Sequence, residues 1–187
     1  MKFTTIILAG GKSKRMGANK ALLPFHGKPL IQYSIDLAKF FTDEIWISAN
    51  NRDFDYLGFP VVSDLLPVNA PLAGIHAGLR ASERDWNLIL TCDMPNVSKG
   101  VIEQLCSALD ENLWMVVPSH NGYIEPLCGF YHRSIIHVMD RNMKAGKLSL
   151  LDLPASAPHR FLEMTDLSSE ESALLFRNMN EKRDLLD

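Results

Sequence analysis

Two hydrophobic patterns alternate along this chain. Short, β-branched apolar runs occur at residues 4–8, 44–48, 60–63, 87–91 and 114–118, and again at 127–132 and 160–163. Each is bounded by polar or turn-forming residues and reads as a buried strand. Between them, stretches with helical spacing of apolar positions predict helices over 29–40, 72–81, 99–110, 133–145 and 169–176. Pro29 stands where a first-turn proline is tolerated, and Ser98 is placed to cap the helix that follows it. Strands separated by helical segments of about ten to fifteen residues imply βαβ units and a mainly parallel sheet. The run Leu127-Cys128-Gly129-Phe130-Tyr131 breaks that rhythm and is expected as an antiparallel insertion.

The expected fold is therefore α/β, a Rossmann-like three-layer sandwich with a mainly parallel sheet. No repeat or low-complexity linker divides the chain, so one domain over residues 1–187 is expected. In such sheets ligands sit beyond the carboxyl ends of the strands, so the loops after strands should carry the chemistry.

Composition narrows the partners. The chain is 47% hydrophobic and 22% charged, with a formal net charge of −3, which argues against broad nucleic-acid binding. Cys92, Cys106 and Cys128 form neither a CxxC pair nor an even framework, as expected of a reducing compartment. With no cleavable leader pattern and no apolar run of transmembrane length, a cytoplasmic protein without membrane contact is expected, acting as a monomer.

Positive charge is concentrated in one loop. The stretch Leu8-Ala9-Gly10-Gly11-Lys12-Ser13-Lys14-Arg15-Met16-Gly17-Ala18-Asn19-Lys20 follows the first strand directly. Its glycines allow a tight turn and close approach of backbone N–H groups to an anion, and its four cations neutralise charge that amide dipoles alone do not. The spacing is neither that of a Walker A loop nor G-x-G-x-x-G. A second candidate is Asp93 in Cys92-Asp93-Met94-Pro95, at the end of the 87–91 strand. A carboxylate there can hold Mg²⁺, which takes one or two carboxylates and completes its octahedron with water and substrate phosphates.

The pattern Leu-Ala-Gly-Gly-x-Ser-x-Arg-Met-Gly-x-x-Lys resembles the signature loop of the MobA-type nucleotidyltransferases, the molybdenum cofactor guanylyltransferases. The resemblance runs from about residue 4 to 185 and implies a fold of the nucleotide-diphospho-sugar transferase type. It implies that Leu8, Ala9 and Gly10 hold the base and ribose side through the backbone, while Gly11, Ser13, Arg15 and Lys20 face the phosphates. Asp93 matches the family's metal-binding residue. Asn50 matches the Asn of an Ala-Asn-Arg segment whose Arg is replaced here by Asn51. Asp64 matches an acidic residue that recognises the nucleotide, through either a guanine edge or a ribose hydroxyl. Ala70-Pro71-Leu72-Ala73-Gly74 resembles a Gly-Pro-Leu-Ala-Gly segment, with Ala70 departing from glycine and Gly74 expected to leave room for base or ribose. The 176–180 segment resembles Asn-Ile/Val-Asn-Thr, in which Asn180 supplies either an oxygen near the metal or a helix cap. Glu125-Pro126-Leu127-Cys128-Gly129 falls where the resemblance implies handling of the pterin. His26, His76, His120 and His132 lack ligand spacing and are expected on the surface or in packing.

The implied reaction is in-line attack by a molybdopterin phosphate on the α-phosphorus of GTP, with Arg15, Lys20 and Asp93 as the catalytic set. Mg²⁺ is the implied cofactor. Other cofactor-biosynthesis proteins and recipient molybdoenzymes are the implied partners. Gly11 favours GTP over CTP. A molybdopterin cytidylyltransferase or sugar-phosphate nucleotidyltransferase is the enzymatic alternative, and a nucleotide-binding regulator on the same scaffold is the non-enzymatic one.

Overall fold

The computed structural model describes residues 2–10, 19–165, 168–180 and 184. In chain order the strands are β1 (Thr4–Leu8), β2 (Pro24–Phe25), β3 (Lys28–Pro29), β4 (Ile45–Ser48), β5 (Val61–Val62), β6 (Trp86–Thr91), β7 (Met115–His120), β8 (Tyr123–Ile124), β9 (Gly129–His132) and β10 (His159–Glu163). The helices are α1 (Leu30–Lys39), α2 (Pro71–Ala81), α3 (Lys99–Ser107), α4 (Ile136–Lys144) and α5 (Ser169–Leu175). Among the described residues the main sheet runs β10-β7-β9-β6-β1-β4-β5, with β8 paired to the end of β7. The pairs β1–β4, β1–β6, β4–β5 and β7–β10 are parallel, whereas β9 runs antiparallel to both β6 and β7. The rhythm break at Leu127 to Tyr131 is thus the antiparallel strand it suggests.

The core explains the unbroken apolar runs. Successive side chains of a strand point to opposite faces, so Ile7, Leu88 and Leu90 join one cluster with Ile31, Ile35 and Leu105 of α1 and α3. Ile6, Leu8 and Ile89 join the other, with Leu72, Ile75, Val138 and Met139 of α2 and α4. Both faces of the central strands are covered, which is why β1 and β6 are buried at every position. The carboxyl ends of β1, β4, β5, β6 and β7 consequently open on one edge of the sheet.

Two local expectations shift, and one element is new. Pro29 is the N-cap of α1 with extended dihedrals and not its first helical residue. Ser98 occupies the N-cap of α3, but its side chain makes no capping hydrogen bond. The hairpin of β2 and β3 lies outside the periodic pattern, its turn closed by His26 and Gly27 at positive φ.

Candidate active site

A cleft of about 250 Å³ opens where β1, β4 and β6 end, beside the first turn of α2. The sequence places Asn50, Asp64 and Asp93 just beyond β4, β5 and β6, and the parallel register brings them to one edge. Leu8, Gly10, Asn50, Asp64, Gly74 and Asp93 all line it.

On one side, Asn50 and Asp64 form a closed pair. The Asn50 amide donates to Asp64 Oδ2 at 2.6 Å, and the Asp64 backbone N–H donates to Asn50 Oδ1 at 2.8 Å. Both ends of the amide are therefore engaged within the protein, so Asn50 orients Asp64. Among the described residues no group donates to the carboxylate's Oδ1. Arg52, one place beyond the Asn51 that stands at the expected Arg position, lines a shallow groove continuing past Asn50.

Gly74 and Gly10, both on the cleft wall, differ in the space beside them. A Cβ on Gly74 would lie 2.7 Å from Ser48 Oγ and 3.3 Å from Leu8 Cδ2, so close packing of α2 on the sheet already uses that space. At Gly10, a Cβ would meet only ordinary contacts, at 3.6 Å or more. Among the described residues Gly10 thus leaves more room than Gly74. The backbone of this segment is partly engaged within the sheet. The N–H groups of Ala9 and Gly10 both donate to the Ser48 carbonyl at 3.0 Å, and the Leu8 carbonyl accepts from Cys92 N–H. Ala9 turns its methyl into the core. These N–H groups are committed to the sheet's edge and not directed at a ligand.

On the other side stands a charged cluster. Lys20 begins a single 3-10 turn, Lys20–Leu22, capped by Asn19, whose side chain accepts from Ala21 N–H and donates to Asp53 at 2.9 Å. From that anchored backbone the Lys20 ammonium reaches Asp93 Oδ2 at 3.0 Å and Asn180 Oδ1 at 3.1 Å. The pair is only partly shielded, with side chains 15% and 23% exposed. Asp93 Oδ1 accepts from the Thr91 hydroxyl at 2.7 Å, and its backbone carbonyl accepts from Met179 N–H at 2.8 Å. Ser34 of α1 donates in turn to the Thr91 carbonyl. An ammonium held between a carboxylate and an amide oxygen marks a seat for a hard cation, and Asp93 fits the Mg²⁺ role on that ground.

The MobA-like NTP transferase domain model matches residues 5–158. The chain belongs to the MobA-like NTP transferase family. A molybdenum cofactor guanylyltransferase of Desulfosudis oleivorans is 33% identical over 97% of this chain and 92% of its own length. Among solved structures, molybdopterin-guanine dinucleotide biosynthesis protein A from Archaeoglobus fulgidus superposes with a TM-score of 0.81 at 24% identity, covering 98% of this chain and 95% of that one. The 2-C-methyl-D-erythritol 4-phosphate cytidylyltransferase of Thermus thermophilus superposes at 0.73 with 16% identity, covering 100% and 96%. The architecture is the one shared by such nucleotidyltransferases, so the fold alone does not choose the base.

Gly11, Ser13 and Arg15, of which phosphate contacts are expected, lie outside the described residues. The Ala70 departure is accommodated: its φ of −149° is extended backbone that any residue adopts, and its carbonyl accepts Ala73 N–H. Burial pushes the Cys92 and Cys128 thiols up to about 12, so neither supplies a thiolate nucleophile. His76 and His120 are buried in polar networks, on Asp140 with Arg80 and on Glu125 respectively. Glu125 thus turns to His120, while Leu127 reaches the cleft wall. Thr91 and Asn19 were the silent contributors. Their signal was position alone: a hydroxyl closing an apolar strand two residues before Asp93, and an amide beside Lys20.

Proposed function

We propose that this protein is a molybdenum cofactor guanylyltransferase, moving GMP from GTP to the phosphate of molybdopterin. The observation that carries the reading is the cluster of Lys20, Asp93 and Asn180 across one cleft from the Asn50–Asp64 pair. One end of the cleft suits a donor-bearing base edge or ribose, and the other suits phosphates and their cation. The relatives' names supply the guanine and the acceptor.

An oxygen of the acceptor phosphate attacks the α-phosphorus of GTP as the bond to the β-phosphate oxygen breaks, and pyrophosphate leaves. The protein's part is to align the two anions and offset their repulsion. Mg²⁺, when bound, withdraws charge from the phosphate oxygens. Asp93 would hold that ion with its carboxylate oriented by Thr91. Lys20 and Arg15 would donate to the phosphates and stabilise the departing pyrophosphate. Asp64 would take the nucleoside end, fixed by Asn50. A cytoplasmic monomer handing its product to recipient molybdoenzymes is the setting consistent with this reaction.

The test is calorimetry of the purified protein with GTP, CTP and ATP in Mg²⁺, followed by detection of the guanine dinucleotide after molybdopterin is added. Preferential GTP binding and a dinucleotide product are expected. Preference for CTP, or GTP binding with no product in the presence of acceptor, would overturn the reading.

A further inference from the structure

We propose that the Lys20 ammonium is a built-in stand-in for the divalent cation. In the ligand-free protein it fills the seat between Asp93 and Asn180, and it vacates that seat when metal and phosphates bind. The inference rests on the nucleotidyl-transfer reading for the identity of the cation, but it concerns this chain's own residues.

Three features support an exchange and not a permanent ion pair. First, the two oxygens around the ammonium, Asp93 Oδ2 at 3.0 Å and Asn180 Oδ1 at 3.1 Å, are hard ligands from distant parts of the chain. Second, the segments that carry those oxygens are held independently of Lys20. Asp93 is held by the Thr91 hydroxyl and by Met179 N–H, and Asn180 by its backbone N–H on Asp184 at 2.8 Å. The Asp93 carboxylate and the Asn180 backbone therefore keep their places when the ammonium leaves. Third, the Lys20 backbone is anchored by the Asn19 cap, and Asn19 by Asp53, while a lysine side chain is a compact charge on a flexible stem. Only the side chain needs to swing, from oxygens on the protein to oxygens on a phosphate.

A monovalent and a divalent cation cannot share this seat, because their repulsion at contact distance is large in a partly shielded site. Lys20 therefore competes with the metal until phosphates offer the ammonium another partner. The metal should bind weakly to the nucleotide-free protein and tightly only together with a nucleotide. Premature metal loading is suppressed, and metal and triphosphate arrive as a unit.

The experiment is Mn²⁺ binding to the nucleotide-free, full-length protein, followed by electron paramagnetic resonance. Wild type, Lys20→Met, Lys20→Gln, Arg52→Met and the double variant Lys20→Met/Asp93→Asn are compared, each checked for folding by its circular dichroism melt. Removing the ammonium by either Lys20 substitution is expected to tighten Mn²⁺ binding on the order of tenfold. The gain should vanish when Asp93→Asn is added. Arg52→Met, which removes a nearby cation outside the seat, should leave the affinity within about twofold of wild type. Unchanged or weaker Mn²⁺ binding in both Lys20 variants would overturn the exchange. So would a gain that survives Asp93→Asn, or an equal gain in Arg52→Met. GTP binding is measured separately without metal, so failure of the nucleotide reading and failure of the exchange are distinguishable.

Discussion

Asp93 is restrained on three sides within the protein. Thr91 donates to one carboxylate oxygen, Lys20 to the other, and Met179 N–H ties down the backbone carbonyl. A charge-assisted hydrogen bond of this type contributes about 1.5–3 kcal/mol. Thr91→Val keeps the shape and removes the donor, so turnover should fall by about 10- to 100-fold with a raised Mg²⁺ requirement, while Thr91→Ser stays near wild type. A Mg²⁺ titration of pyrophosphate release checks this, and equal rates for all three proteins would contradict it. Lys20, Asn50, Asp64 and Asp93 were legible in the sequence because each falls in or just after the loop that ends a strand. Their division of labour was not. That Asn50 spends its amide on Asp64, or that Gly74 is filled by Ser48 and Leu8, depends on interatomic distances between segments that sequence spacing does not fix.

At the scale of elements, α2 carries most of the site's geometry. Its Gly74 and Gly78 lie one turn apart, and a Cβ on either would collide with Ser48 or Ile6, so the helix lies close on β1 and β4. Its far half is tied to α4 by His76 and Arg80 on Asp140, at 2.8 and 2.7 Å. Burial raises the Asp140 carboxyl, but the His76 hydrogen bond and the Arg80 charge outweigh it and hold the group below its ordinary 3.8. A lowered carboxyl stabilises the fold fully above its unfolded value, and that stabilisation is lost as pH falls through the lower folded value. Asp140→Asn should therefore cost up to about 1 kcal/mol near neutrality, since the pair is partly exposed. The gap in melting temperature between variant and wild type should narrow between about pH 5 and pH 3. A gap constant across that window would contradict the assignment. The long strands and helices were readable from periodicity, and β9 from its break in rhythm. The two-residue strands β2 and β3 were not, because two residues carry no period and their pairing depends on the turn at His26 and Gly27.

At the scale of the molecule, the parallel central strands β6-β1-β4 open at one edge, and the chain returns to that edge from its far end. Phe176 and Met179 bury their side chains, Phe176 stacks on His120 at 4.7 Å, and Asn180 reaches Lys20. The segment after α5 thus closes the cation side of a site whose other parts come from the first hundred residues. The sequence offered Asn180 either as an oxygen beside the cation site or as a helix cap, with Glu181 and Lys182 in place of the expected turn, and in the fold its amide oxygen meets Lys20. The central claim is that one cleft binds GTP and supports metal-dependent guanylyl transfer through Asp93. Its most direct test is pyrophosphate release from GTP in the presence of Mg²⁺ and molybdopterin, compared between wild type and Asp93→Ala. Release with GTP should stand well above that with CTP, and Asp93→Ala should lose at least about a hundredfold with the circular dichroism melt unchanged. Near-normal Mg²⁺-dependent release in that variant would contradict it.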